Sequence, residues 1–121
     1  MDWHEDVEYA PMKNNAAMVE AYRRNGEELG MNFFEMKDLT TGSSDMGNVS
    51  QVVPSIHPNF GVGSPTFTHS PEFTAVAATD AAHAAMLQTA KALAMTGVDV
   101  ALEPGLLDEI KRDFGAGGRR G

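Results

Sequence analysis

The chain carries four histidines, and histidine is the side chain best suited by type to ligate a metal ion or move a proton near neutral pH. Two of them lie in loop-like stretches. His57 sits in Val53-Pro54-Ser55-Ile56-His57-Pro58, and His69 in Thr66-Phe67-Thr68-His69-Ser70-Pro71-Glu72-Phe73. Rigid scaffolds commonly hold binding and catalytic groups on such connections. A lone loop histidine is more often a surface imidazole bonded to backbone. His69 gains weight because Glu72 follows three positions later. In a turn, a carboxylate at that spacing can orient a ligand imidazole, as metal sites commonly require. His4, in the acidic start, and His83, inside an alanine-rich stretch, read as non-ligands. The chain has no cysteine, which removes both a thiolate zinc cluster and a disulfide framework.

The elements that must hold these residues read as follows. Trp3, Val7 and Tyr9 suggest the end of a strand closed by Pro11. From Asn14 or Asn15 as N-cap, an amphipathic helix runs to about Leu29, with Met18, Tyr22 and Leu29 on one face and Gly30 as its stop. Glu20 with Arg24, and Arg23 with Glu27, stand four apart on the opposite, solvated face. Residues 31–36 show no clear period. Residues 40–50 are nearly all small or hydrogen-bonding, which suggests a functional or capping loop. The stretches 52–58 and 60–63 read as extended segments near a sheet edge, and 66–73 as a second polar turn.

An alanine-rich helix is expected from Asp80 to Ala101, burying Met86, Ala90, Leu93, Ala94 and Gly97 against a sheet. A last helix, with Pro104 at its first position, is expected to bury Leu106, Leu107, Ile110 and Phe114 and to end at Gly115. The residues after it should fray. Together these elements read as α/β, a partial mixed sheet with flanking helices, and part of the sheet is missing.

A chain of 121 residues allows one ordinary domain. Its net charge of −8, with no basic stripe, excludes the usual electrostatics of nucleic-acid binding. It shows no signal-peptide pattern and no membrane-spanning apolar run, so a cytoplasmic protein without membrane partners is expected.

Three stretches carry a family resemblance: Gly42-Ser43-Ser44-Asp45-Met46-Gly47-Asn48-Val49-Ser50, then Val53 to Pro58, then His69-Ser70-Pro71-Glu72-Phe73. They resemble the closing motifs of the zinc-dependent amidohydrolases that include aminoacylases, hippurate hydrolases, glutamate carboxypeptidases and aminobenzoyl-glutamate hydrolases. The likeness is closest to the aminobenzoyl-glutamate hydrolase and dipeptide-cleaving branch. It implies the C-terminal part of a di-metal, aminopeptidase-like catalytic domain. Residues 1–11 would end a lid or dimerisation domain, 12–114 would complete the catalytic domain, and 115–121 would be a disordered tail. The missing N-terminal half would be a partner, and the complete enzyme a homodimer.

The resemblance further implies two zinc ions, or manganese or cobalt in their place, and hydrolysis of an amide joining an acyl, aroyl or aminoacyl group to an amino acid. His69 would be a metal ligand, with Glu72 and Asp45 supporting the ligands from behind. Asn48 and His57 are candidates to bind the small-molecule amide or dipeptide substrate. No catalytic residue is assigned, because the remaining ligands and the glutamate base would precede Met1. The isolated chain is therefore expected to be inactive. There is one departure: the peptidase branches carry an arginine at the place occupied here by Gly47. The competing reading is a non-catalytic, truncated metal-binding or dimerisation module.

Overall fold

The computed structural model describes residues 9–34, 44–66 and 68–117. Five helices follow in order: α1 Ala16–Glu28, α2 Met46–Val52, α3 Pro71–Ala77, α4 Asp80–Leu102 and α5 Leu106–Gly117. The α/β expectation is overturned, because the described residues form no sheet and their one strand-like pairing is a parallel bridge between Asn14 and Ser55. A strand needs a neighbour to satisfy its N–H and C=O groups, and here Asn15 N–H to Ser55 O at 2.9 Å joins the two extended segments only once. Two stretches read as loops contribute helix instead. Residues 46–52 coil because Val49 N–H reaches Asp45 O at 3.2 Å and Val53 N–H reaches Val49 O at 3.0 Å. The polar turn before Phe73 is the cap of α3, where the Ser70 hydroxyl accepts from Phe73 N–H at 3.1 Å and Pro71 takes the first turn.

Helix α1 begins and ends as its residues dictate. The Asn15 side-chain oxygen accepts from Met18 N–H at 3.1 Å, and its amide donates to Ile110 O at 2.9 Å, tying the cap to α5. The first turn of α1 has no acid of its own, and Asp113 of α5 supplies one by accepting from Ala16 N–H. At the other end Gly30 takes φ 77°, and Gln88 of α4 donates to Leu29 O at 2.6 Å. Ala21 of α1 meets Leu106 and Ile110 of α5 in the small core, with Ala17, Met18 and Val100 packed around them. Leu107, expected inside, is exposed, Phe114 is half-buried, and α5 continues past Gly115. Pro104 lies before α5 rather than in its first turn.

The buried face of α4 is not the expected one. Met86, Ala90, Leu93, Ala94 and Gly97 are all exposed, whereas Ala82, Thr89, Ala92 and Thr96 are buried, and α4 packs against α1. The helix is apolar nearly all round, so hydrophobic period cannot choose a face, and polar partners on α1 choose it instead. Asn25 donates to Thr96 Oγ1 at 3.2 Å and to Asp99 Oδ2 at 2.7 Å. Arg24 bonds Asp99 and Glu103 across the same interface, rather than Glu20 within α1.

Asn25 is 4% exposed, so Asn25→Ala strips a partner from the buried Thr96 hydroxyl and another from the half-buried Asp99 carboxylate. A loss of about 1–3 kcal/mol in urea unfolding is expected. An unchanged midpoint would show that the face of α4 is chosen by other contacts.

The phenol of Tyr22 is buried and makes no hydrogen bond among the described residues. Burial raises its pKa, and the nearby Thr89 hydroxyl offsets this in part, although the two hydroxyls do not meet at hydrogen-bond geometry. The ring stacks edge-on against Phe33, with centroids 5.7 Å apart. Tyr22→Phe keeps that contact and removes an unpaired polar atom. It is expected to leave the melting temperature unchanged or higher, and a drop of several degrees would reveal a partner for the phenol.

Candidate functional site

The best-organised part of the candidate site is the contact between α2 and the segment 10–13. Ala10 N–H donates to Asn48 Oδ1 at 3.1 Å, and Lys13 N–H donates to Ser50 Oγ at 2.9 Å. Ser50, wholly buried, donates in turn to Gly47 O at 2.6 Å, and Gln51 donates to Pro11 O at 2.7 Å. One short helix thus bonds the neighbouring backbone at Ala10, Pro11 and Lys13. Lys13 carries the tether on to α5, donating to Phe114 O at 3.1 Å with its ammonium 4.5 Å from the centre of the Phe114 ring.

Gly47 lies where that backbone comes closest. A Cβ on Gly47 would stand 1.8 Å from the Ala10 carbonyl oxygen, so no side chain fits there. This gives the glycine a packing reason at the place where the resembled peptidases carry arginine. The residue types carry a weak signal of this, since a glycine inside a helix commonly has a packing reason, but the small polar residues of 40–50 point to a loop and hide the helix.

The predicted site residues fall into two groups. Asn48 is half-buried and its side-chain oxygen holds Ala10, while Asp45 is exposed at the start of α2 and accepts from the Ser44 hydroxyl at 3.4 Å. The N-terminal support of α2 comes from Ser44, whose hydroxyl accepts from Met46 N–H at 3.2 Å, and Asp45 makes no side-chain cap. His57 is exposed on the extended segment between Pro54 and Pro58.

His69 is exposed immediately before the Ser70 cap of α3. It lines an open depression with Thr68, Ser70, Pro71, Phe73 and Thr74. Its φ of 67° is the single positive value at a non-glycine among the described residues. Histidine tolerates that region better than most side chains, and such conformations gather at functional sites. Nothing in the residue types announced this backbone. Glu72, in the first turn of α3, is exposed, and among the described residues no hydrogen bond or ion pair joins it to His69. His4 lies outside the described residues, as do the proposed strand residues Trp3 and Val7. His83 is exposed on α4.

Among the described residues no three histidine, cysteine or acidic side chains come together to hold a metal ion. A structural or catalytic zinc takes three or four protein ligands. These residues therefore do not fit a two-ion centre by themselves, and no catalytic step is assigned to them. No described helix is long and apolar enough to cross a membrane.

Comparison with known proteins adds two relatives. The chain is 43% identical to the Xaa-Arg dipeptidase of Mus musculus over 103 residues, which is 83% of this chain and 24% of that one. It is also 43% identical to the Xaa-Arg dipeptidase of Homo sapiens over 110 residues, 88% of this chain and 25% of that one. The chain thus resembles peptidases over most of its own length and spans about a quarter of theirs. No protein-family model matches it, and no solved structure does.

Proposed function

We propose that this chain supplies one part of a metal-dependent amidohydrolase that cleaves dipeptides of the Xaa-Arg kind. The carrying observation is the 43% identity to Xaa-Arg dipeptidases, extending over 83–88% of the chain. A net charge of −8 complements a substrate bearing a basic side chain. In this reading His69 donates one ligand to a centre of two ions, zinc or else manganese or cobalt, that is completed by residues outside the described set. Glu72 and Asp45 support that centre, and Asn48 and His57 face the substrate. When bound, the metal supplies an activated water and polarises the scissile carbonyl. The chain's own contribution is placement: α3 sets His69, and α2 fixes the backbone at 10–13. The completed enzyme, in this reading, is a homodimer.

The reading is tested with two proteins, the chain alone and a fusion in which it replaces the matched 103 residues of the mouse dipeptidase. The fusion is expected to release arginine from an Xaa-Arg dipeptide in the presence of zinc, and the chain alone to release none. A folded fusion that leaves dipeptides intact removes the hydrolase reading. Turnover by the chain alone removes the claim that it is one part of the enzyme.

A further inference from the structure

Asn25 is the one asparagine of the chain that a glycine follows. Both residues answer to packing. Asn25 is buried, and its amide nitrogen donates to Thr96 Oγ1 at 3.2 Å and to Asp99 Oδ2 at 2.7 Å, tying α1 to α4. Gly26 is buried beside it, where a Cβ would stand 2.4 Å from the tip of the Phe33 ring that packs edge-on against Tyr22. These two demands set a side-chain amide next to a backbone nitrogen that no side chain shields. Asparagine is a thermolabile residue, and a following glycine gives the backbone the freedom to bring that nitrogen onto the amide carbon.

We propose that Asn25-Gly26 is a self-modification site, which the docking of α1 on α4 holds shut and which, once used, keeps that interface from closing as before. Within α1 the Gly26 N–H is directed along the helix toward the carbonyl four residues back, while α4 holds the Asn25 amide, so the two groups do not meet. Opening of the helix pair frees both. The Gly26 nitrogen then attacks the Asn25 side-chain carbonyl carbon, a new C–N bond forms, and the bond to the amide nitrogen breaks. Ammonia leaves, carrying the Gly26 amide proton, and a five-membered succinimide remains. Water adds to either imide carbonyl and opens the ring to an aspartate or an isoaspartate at position 25. The new carboxylate has no N–H to give to Thr96 or Asp99. It stands against the Asp99 carboxylate instead, and Arg24, already shared by Asp99 and Glu103, is left to balance three acids. The isoaspartate also adds a carbon to the main chain within α1. Opening is thereby recorded as a change that closing does not reverse.

The chain is incubated in mildly alkaline buffer, with and without a denaturing concentration of guanidinium chloride, and amide-to-acid conversion at position 25 is followed by peptide mass spectrometry. Conversion is expected in the denatured chain and should be about tenfold or more slower in the folded one. Equal rates in the two states overturn the proposal, as does a denatured chain that keeps its amide. Asp99→Ala removes the nearer acceptor and leaves the Asn-Gly pair intact, so conversion in buffer should quicken several-fold, the scale of one lost hydrogen bond. Circular dichroism shows whether this variant keeps its helices. If it does not, Thr96→Val, which removes the other acceptor, takes its place. A folded variant that converts no faster than the parent also overturns the proposal. Finally, partly converted chain is returned to buffer, and ion exchange separates the modified form, which carries one more negative charge. It should unfold at a lower guanidinium concentration than the unmodified form. Equal midpoints would show that the new carboxylate leaves the interface free to close.

Discussion

Gly47→Ala is expected to destabilise the chain by about 2–3 kcal/mol, a large effect for adding one methyl group. The new Cβ would stand 1.8 Å from the Ala10 carbonyl oxygen and 2.9 Å from its carbon. Both are backbone atoms, so no side-chain rotation relieves the clash, and α2 or the segment 10–13 must move away. Movement of either breaks the bonds that Asn48, Ser50 and Gln51 make to Ala10, Lys13 and Pro11. The sign makes the test sharp. In a helix without this contact, replacing glycine by alanine would stabilise by about 1 kcal/mol. Urea unfolding of Gly47→Ala against the parent chain therefore reads opposite signs for the two cases. Hydrogen exchange of the Ala10 and Lys13 amides should rise in the variant. A stabilised variant with unchanged exchange would mean that α2 and the segment 10–13 do not touch in solution.

Much of the helical fold could be read from local chemistry. Asn15 as cap, Gly30 as stop and the alanine run after Thr79 each act through groups close in sequence, and α1 and α4 lie where those residues place them. Which face of α4 would be buried could not be read the same way. That choice depends on Asn25 and Arg24, more than seventy positions away in sequence. The α/β expectation failed for a related reason. Extended segments such as 53–58 look like strands because of their residues, but a strand exists only through a neighbour, and the described residues offer Ser55 one bridge. The candidate site divides along the same line. The chemistry of His69, Asn48 and Gly47 was visible as residue type, whereas the left-handed backbone at His69 and the Ala10 contact at Gly47 are products of packing.

His69→Gly is expected to separate the metal role of this residue from its structural one. Glycine enters the φ 67° region without the penalty of about 1–2 kcal/mol that a side chain usually meets there, so the isolated chain should melt at the same temperature or higher. In the mouse fusion the same change should remove one of two bound zinc ions, counted by elemental analysis after dialysis. Turnover of an Xaa-Arg dipeptide should fall about a hundredfold or more, since the fold is kept and a ligand is lost. Glu72→Gln, on the first turn of α3, should cost about 10–100-fold in metal affinity or rate, the scale for a group that orients a ligand. His83→Ala, on the exposed face of α4, should change neither metal content nor turnover. The decisive comparison is with His57→Ala. If His69→Gly retains two ions and full turnover while His57→Ala loses both, the ligand is the imidazole between Pro54 and Pro58. The positive φ at His69 would then serve only to aim the chain into the Ser70 cap.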